Sequence, residues 1–210
     1  LPISRVLYDR PDTAAVPNSG PTCASRSIMV VGYLLQEAAR RLKDQWRDGA
    51  EQSVTQGYNH PAGMRWDQAR LSGDAYPGYG WGINVVEVSI DPLTYEIAVG
   101  GIWSIYDVGI PIDQRIVEGQ AHGGMIQALG YAMLENLEIK DGRFRQVTMA
   151  DYSIPTSLDF PAVHTDFVEN PYPFGPFGAK GAGELVFDGA APALALAVQQ
   201  ALGKQVHSIP

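Results

Sequence analysis

Apolar residues recur every three or four positions between Ile28 and Trp46, at Met29, Val30, Tyr33, Leu34, Leu35, Ala38 and Leu42. That spacing predicts an amphipathic helix over 28–46, and Arg40, Arg41 and Lys43 lie near its C-terminal end, where cations suit the dipole. At 85–90 the pattern switches to alternation. Asp91-Pro92-Leu93-Thr94 then reads as a turn into a second strand, 96–106, so the unit is a hairpin. Helical spacing returns over 114–137. An alanine-rich apolar run after Glu184 predicts a last helix over 190–202, capped by Asp188, with Pro192 in its first turn. Shorter strands are expected at 3–7, at 136–140 and 143–148 around the Asp141-Gly142 turn, and at 162–169. The polar stretch 48–79 reads as a long connection with at most short elements, ending in Tyr76, Tyr79 and Trp81. Together these strands and helices predict an α+β fold of mixed twisted sheets with helices packed on them.

Composition narrows the function classes. With 45% hydrophobic and 18% charged residues in 210 positions, the chain is globular and long enough to bury a core. A net charge of −8 argues against a general nucleic-acid binder. No run is read as the roughly 18 consecutive apolar residues of a membrane-spanning helix. The single cysteine, Cys23, excludes an internal disulfide and any cysteine-rich zinc or iron–sulfur site within this chain. It also points to a reducing, cytoplasmic setting. No signal peptide opens the chain at Leu1-Pro2-Ile3-Ser4-Arg5, and no metal-ligand spacing is evident.

Three segments carry candidate chemistry. In Phe174-Gly175-Pro176-Phe177-Gly178-Ala179-Lys180-Gly181-Ala182-Gly183-Glu184, four glycines surround one amine and one carboxylate. Glycine lets a backbone approach a ligand closely, and Glu184 falls where this loop turns toward a helix N-terminus, a place that favours a charged carboxylate. In Thr22-Cys23-Ala24-Ser25-Arg26-Ser27, small and hydroxylated residues can cap a helix or offer hydroxyls and N–H groups to an anion. The helix over 114–137 contains Gly119, Gly123 and Gly124, each costing up to about 1 kcal/mol relative to alanine; small residues there admit another backbone or a flat ligand. Gln120, His122 and Gln127 share that segment, and the Gln127 amide could read the polar edge of a heterocycle. His122 and His60 read as ordinary exposed or satisfied histidines.

These segments, in this order, with Tyr152-Ser153-Ile154-Pro155-Thr156 between the last two, resemble the molybdopterin-binding subunit of the xanthine dehydrogenase and aldehyde oxidase family. The resemblance is to the C-terminal part of that subunit and covers nearly all of residues 1–210, with two interleaved lobes, about 1–110 and 111–210, as one way of dividing them. It implies the fold of a molybdenum-cofactor-binding domain. It also implies that Glu184 matches the family's catalytic glutamate, a general base, and that Gln127 matches a glutamine that hydrogen-bonds the pterin. Ala24, Ser25, Arg26 and Ser27 match the segment that holds the pterin and its phosphate region, while Lys180 and Gly183 match positions that shape the loop beneath the metal. Cys23, His122 and Tyr95 depart from common family residues, Tyr95 at a turn position that is often glycine.

What the resemblance implies for function is oxidative hydroxylation of an N-heterocycle, xanthine- or nicotinate-like, at a molybdopterin-type molybdenum cofactor that could carry a cytosine dinucleotide. Electrons would leave to iron–sulfur clusters and FAD on partner subunits. The family's first cofactor-contacting segment lies outside these residues, so the remaining N-terminal part of the subunit is an expected partner, beside the small-molecule substrate. An aldehyde oxidoreductase of the same family, and a fragment that folds without cofactor, are the rival readings.

Overall fold

The computed structural model describes residues 2–209. A π-helical turn, Ser27–Gly32, runs without a break into helix α1, Tyr33–Asp44. In the long connection that follows, only β1 (Trp66–Asp67) and β2 (Ser72–Gly73) pair. Strands β3 (Trp81–Ile90) and β4 (Ile97–Asp107) form the expected hairpin, slightly longer than the alternation suggests. Helix α2 spans Gln114–Met133, β5 (Ile139–Lys140) and β6 (Arg143–Phe144) make a small ladder, and β7 spans Ala162–Phe167. A 3-10 turn, Pro176–Gly178, precedes a single helical turn, α3 (Leu185–Asp188), and helix α4 (Ala190–Leu202).

The main sheet has the order β3-β4-β7, antiparallel on one side of β4 and parallel on the other. It is therefore mixed, with helices packed on it, and the fold is α+β as its pattern predicts. The hairpin turn is built by Asp91, whose Oδ1 accepts from the Leu93 and Thr94 amides at 2.7 and 2.8 Å. These backbone hydrogen bonds hold the Asp91 carboxyl below its ordinary value. Helix α2 is capped by Asp113, which accepts from the Arg115 and Ile116 amides.

One core joins these elements. Ile102 and Tyr106 of β4, Ala121, Met125 and Ala128 of α2, Val186 of α3 and Ala190 of α4 are all fully buried in it. Complete burial stabilises by about 1.5–3 kcal/mol each at Ile102, Met125 and Val186, so the junction of β4, α2 and α3 is the anchor of the domain. Gly124 is where α2 meets α3: a Cβ there would lie 2.5 Å from Val186. Tyr106 ties the layers with polar bonds, accepting from Asn84 Nδ2 at 2.7 Å and donating to the Val186 carbonyl at 3.4 Å. Burial pushes its hydroxyl up.

Several expectations need correction. Residues 3–7 form a 3-10 turn, Ile3–Arg5, and then extended chain, because no neighbouring strand is there to pair with them. Helix α2 stops at Met133, where the Gly130 carbonyl accepts from both the Leu134 and Glu135 amides. The strands expected at 136–148 shrink to two residue pairs. Asp188 does not cap α4; it ends α3, and Gly189 takes the cap position with no side-chain bond. The stretch 185–202, with mean hydropathy 1.4, is long and apolar enough to pass as a membrane span by composition. It is broken at Gly189 into α3 and α4, and Val186, Ala190 and Leu194 are buried against β3 and α2.

The other face of the sheet is open. Trp81, Ile83 and Val85 of β3 and Trp103 and Ile105 of β4 point away from the helices and are 41–69% exposed.

Candidate active site: Glu184 and the serine turn

Glu184 follows Gly183 at the end of the glycine-rich loop and immediately precedes α3. Its carboxylate is exposed, and Oε1 accepts from the Ala24 amide at 3.0 Å. The Glu184 amide in turn donates to Ser25 Oγ at 2.9 Å. Two segments about 160 residues apart thus exchange a reciprocal pair of bonds. The pair resembles a capping box, except that its halves come from different loops. Since α3 is only one turn long, a helix dipole contributes little here. The carboxylate is oriented by the Ala24 N–H, a charge-assisted bond to an amide.

The local backbone makes this approach possible. Ala24 and Ser25 both take left-handed conformations, φ 51° and 52°, which turn the Ala24 amide and the Ser25 hydroxyl toward the second loop. On that loop, a Cβ at Gly181 would sit 2.1 Å from the Ser25 carbonyl oxygen. Only glycine fits there, so Gly181 is explained by contact with the serine turn. The turn's hydroxyls do not cap a helix: the π-helical turn has no side-chain cap, Ser25 is bound to Glu184, and Ser27 Oγ meets Thr22 Oγ1 at 3.4 Å.

The other predicted residues separate. Arg26 donates to the Ser19 and Pro21 carbonyls at 2.6 and 3.2 Å, bracing its own turn from within. Gln127 lies exposed on α2, and its side-chain amide makes no hydrogen bond among the described residues. Gly183 meets α2 through Gln120, whose Nε2 donates to the Gly183 carbonyl at 3.3 Å. Lys180 is buried, and its ammonium lies 2.7 Å from Asp107 Oδ2, so the structure gives it a partner inside the protein rather than a free charge at the surface of the site. The same Oδ2 accepts from Asn170 Nδ2 at 2.7 Å, and Oδ1 accepts from the Gly109 amide at 3.0 Å. Gln120, singled out in the sequence beside Gln127, is thus brought to the loop, whereas Asp107 is the member that sequence reasoning misses, since nothing local marks it. His122 rests edge-on against Phe160 and takes no part.

Beside Gly183 an apolar hollow of about 400 Å³ opens between Ile28, Ile116, Val117, Gln120 and Ala182. Among the described residues no group of three metal-ligating side chains occurs. The arrangement therefore presents an oriented carboxylate, exposed small-residue backbone and hydroxyls, and a neighbouring apolar hollow.

The molybdopterin cofactor-binding domain family matches residues 47–161. Aldehyde oxidoreductase of Megalodesulfovibrio gigas is 27% identical over 222 aligned residues, covering 98% of this chain and 24% of that protein. The crystal structure of aldehyde oxidoreductase from Desulfovibrio gigas superposes with a TM-score of 0.76 at 27% identity, covering 94% of this chain and 23% of its own. Quinoline 2-oxidoreductase from Pseudomonas putida 86 is 40% identical over 55% of this chain and 15% of its own, with a TM-score of 0.53. The chain thus spans about a quarter of the length of the curated relatives it matches.

Proposed function

Because the chain belongs to the molybdopterin cofactor-binding domain family, we propose that it is the part of a molybdenum hydroxylase that presents Glu184, as general base, to a molybdenum cofactor and its substrate. The observation that carries the reading is the Glu184–Ala24 bond. It engages Oε1 and leaves Oε2 without a partner among the described residues, so one oxygen fixes the carboxylate and the other can accept a proton. A general base needs this combination of reach and orientation.

The residues present fit such a group. The left-handed turn at Ala24 and Ser25 exposes backbone amides and small side chains, and Gly181 and Gly183 let the second loop lie directly against Ser25. Ala24, Ser25, Ser27, Gly183 and the exposed amide of Gln127 would hold the cofactor, in whichever dinucleotide form. Arg26 would act by bracing the turn. When bound, the cofactor supplies a Lewis acid and a two-electron acceptor. This chain's own share is to position the carboxylate, to take up a proton at Oε2, and to wall one side of the pocket.

The substrate class we propose is an N-heterocycle, supported by the 40% identity to quinoline 2-oxidoreductase. An aldehyde is the second reading, supported by the alignment with aldehyde oxidoreductase along 98% of this chain. The rest of a large subunit would complete the pocket and cover the open sheet face of Trp81, Ile83, Val85, Trp103 and Ile105, since isolated folded proteins seldom expose a contiguous apolar patch of that kind. With one cysteine in the chain, iron–sulfur clusters and FAD would sit on partner modules, in the cytoplasm.

The test is Glu184→Gln in the assembled, cofactor-loaded complex. Turnover of quinoline- or nicotinate-like rings, measured against aldehydes, should vanish while molybdenum and pterin content stay normal. Near-wild-type turnover would remove Glu184 from the reaction. Faster oxidation of aldehydes than of rings by the unaltered complex would move the substrate to the second class.

A further inference from the structure

The loop that carries Glu184 is held at two ends. At the far end, Glu184 and Gly181 meet Ser25. At the near end, the Lys180 amide donates to the Val108 carbonyl at 2.8 Å, and the Gly178 carbonyl accepts from the Ile110 and Tyr172 amides, both at 2.9 Å. The buried Lys180 ammonium then plugs onto Asp107, which closes β4. Between Lys180 and Glu184 lie Gly181, Ala182 and Gly183, two of them glycines with almost no backbone preference of their own, and the Gly183 carbonyl is also met by Gln120. Their path is therefore dictated by the anchors. A buried ion pair is a weak way to gain stability but can select one arrangement over others, because a misplaced loop would strand a buried charge. Asp107 is coordinated for this role: Lys180, Asn170 and the Gly109 amide together occupy both of its oxygens.

We propose that the Asp107–Lys180 ion pair is a positioning device that sets the register of the Gly181–Gly183 span so that Glu184 reaches the Ala24 amide. Lys180 acts on the site through the loop and not by touching cofactor or substrate. The consequence for catalysis rests on the proposed role of Glu184; the structural claim does not.

The experiment uses the 210-residue chain, free of cofactor, and the Ala24 amide resonance as reporter. In the unaltered protein that resonance should show the downfield shift of an amide bonded to the Glu184 carboxylate, and Glu184→Ala should abolish the shift. In Lys180→Gln the shift should be lost, and exchange of the Ala24 and Glu184 amides should quicken at least about tenfold, while the Ile102 and Met125 amides keep their protection. Lys180→Arg, which keeps the charge, should restore part of the shift. If Lys180→Gln also unprotects the core, the neutral pair Asp107→Asn with Lys180→Met decides, with the same expectation for Ala24. A shift retained in either folded variant overturns the proposal. So does unfolding of both, since the pair would then support the whole domain and not this loop. If the shift is lost as expected while Glu184→Gln in the loaded complex still turns over, positioning stands and the proposed reaction falls.

Discussion

Glu184 Oε1 and the Ala24 amide are 3.0 Å apart across 160 residues of sequence. The bond fixes where the second carboxylate oxygen lies, and its geometry depends on the full length of the glutamate side chain. Glu184→Asp shortens that reach by one methylene. The shorter carboxylate cannot both stay on Ala24 and occupy the position of Oε2. A misplacement of about 1 Å at a reacting group costs roughly 10²-fold in rate. The expected result in the loaded complex is a fall in kcat of that order with little change in KM. Full kcat in Glu184→Asp would show that the Ala24 bond does not set the base.

Asp107 makes stability depend on pH in a definite direction. Burial pushes its carboxyl up, but hydrogen bonds from Lys180, Asn170 and the Gly109 amide outweigh this, so the group lies below its ordinary value of 3.8. A carboxyl depressed on folding stabilises the protein above its unfolded value and loses that contribution as pH falls through the folded one. Unfolding free energy should therefore drop in the window beneath about pH 4, and less steeply in Asp107→Asn. At neutral pH the same variant leaves Lys180 buried without a counter-charge, at a cost of about 3–5 kcal/mol. Urea unfolding of both proteins from neutral to acid pH reads both effects. An unchanged acid slope in the variant would mean that other carboxylates carry it.

How far the sequence discloses the site depends on how local each feature is. Helix α1 and the β3–β4 hairpin are legible because periodicity is a property of neighbouring residues, and α4 because its run is apolar and rich in alanine. Glu184 stands out because four glycines lead up to it. What the glycines accommodate is not legible: the contact of Gly181 with Ser25 joins positions with no shared pattern. The same holds for Lys180 and Asp107, 73 residues apart, and for β7, whose parallel pairing with β4 needs a crossover that alternation cannot reveal. At 3–7 the failure is of the opposite kind. A local apolar pattern is present, but a strand needs a partner, and none is supplied.

The hairpin turn holds a residue that the backbone penalises. Tyr95 has φ 61° and is exposed, so its side chain gains little from packing, while an L-residue in that region costs roughly 1–2 kcal/mol. Tyr95→Gly should remove most of that cost and raise the melting temperature by a few degrees, with the proposed site untouched. The net gain should be nearer about 1 kcal/mol, because glycine also loosens the unfolded chain. A lower melting temperature for Tyr95→Gly would mean that the tyrosine ring makes a stabilising contact the turn relies on.

Two glycine substitutions should move stability in opposite directions. Gly119 sits on the exposed face of α2, and a Cβ there would meet nothing within 4 Å. Gly119→Ala should stabilise the chain by up to about 1 kcal/mol, the helix-propensity difference. At Gly181 the added methyl would stand 2.1 Å from the Ser25 carbonyl oxygen and 2.6 Å from its Cβ. Neither is the free end of a flexible side chain, so one of the two loops must withdraw. Overpacking of this kind typically costs about 1–3 kcal/mol, and it should fall on the serine turn: the Ala24–Glu184 and Glu184–Ser25 bonds are lost together. Chemical denaturation gives the two signs, and exchange of the Ala24 and Glu184 amides locates the damage in Gly181→Ala. If Gly181→Ala leaves those amides protected, the two loops are not in the contact on which the site depends.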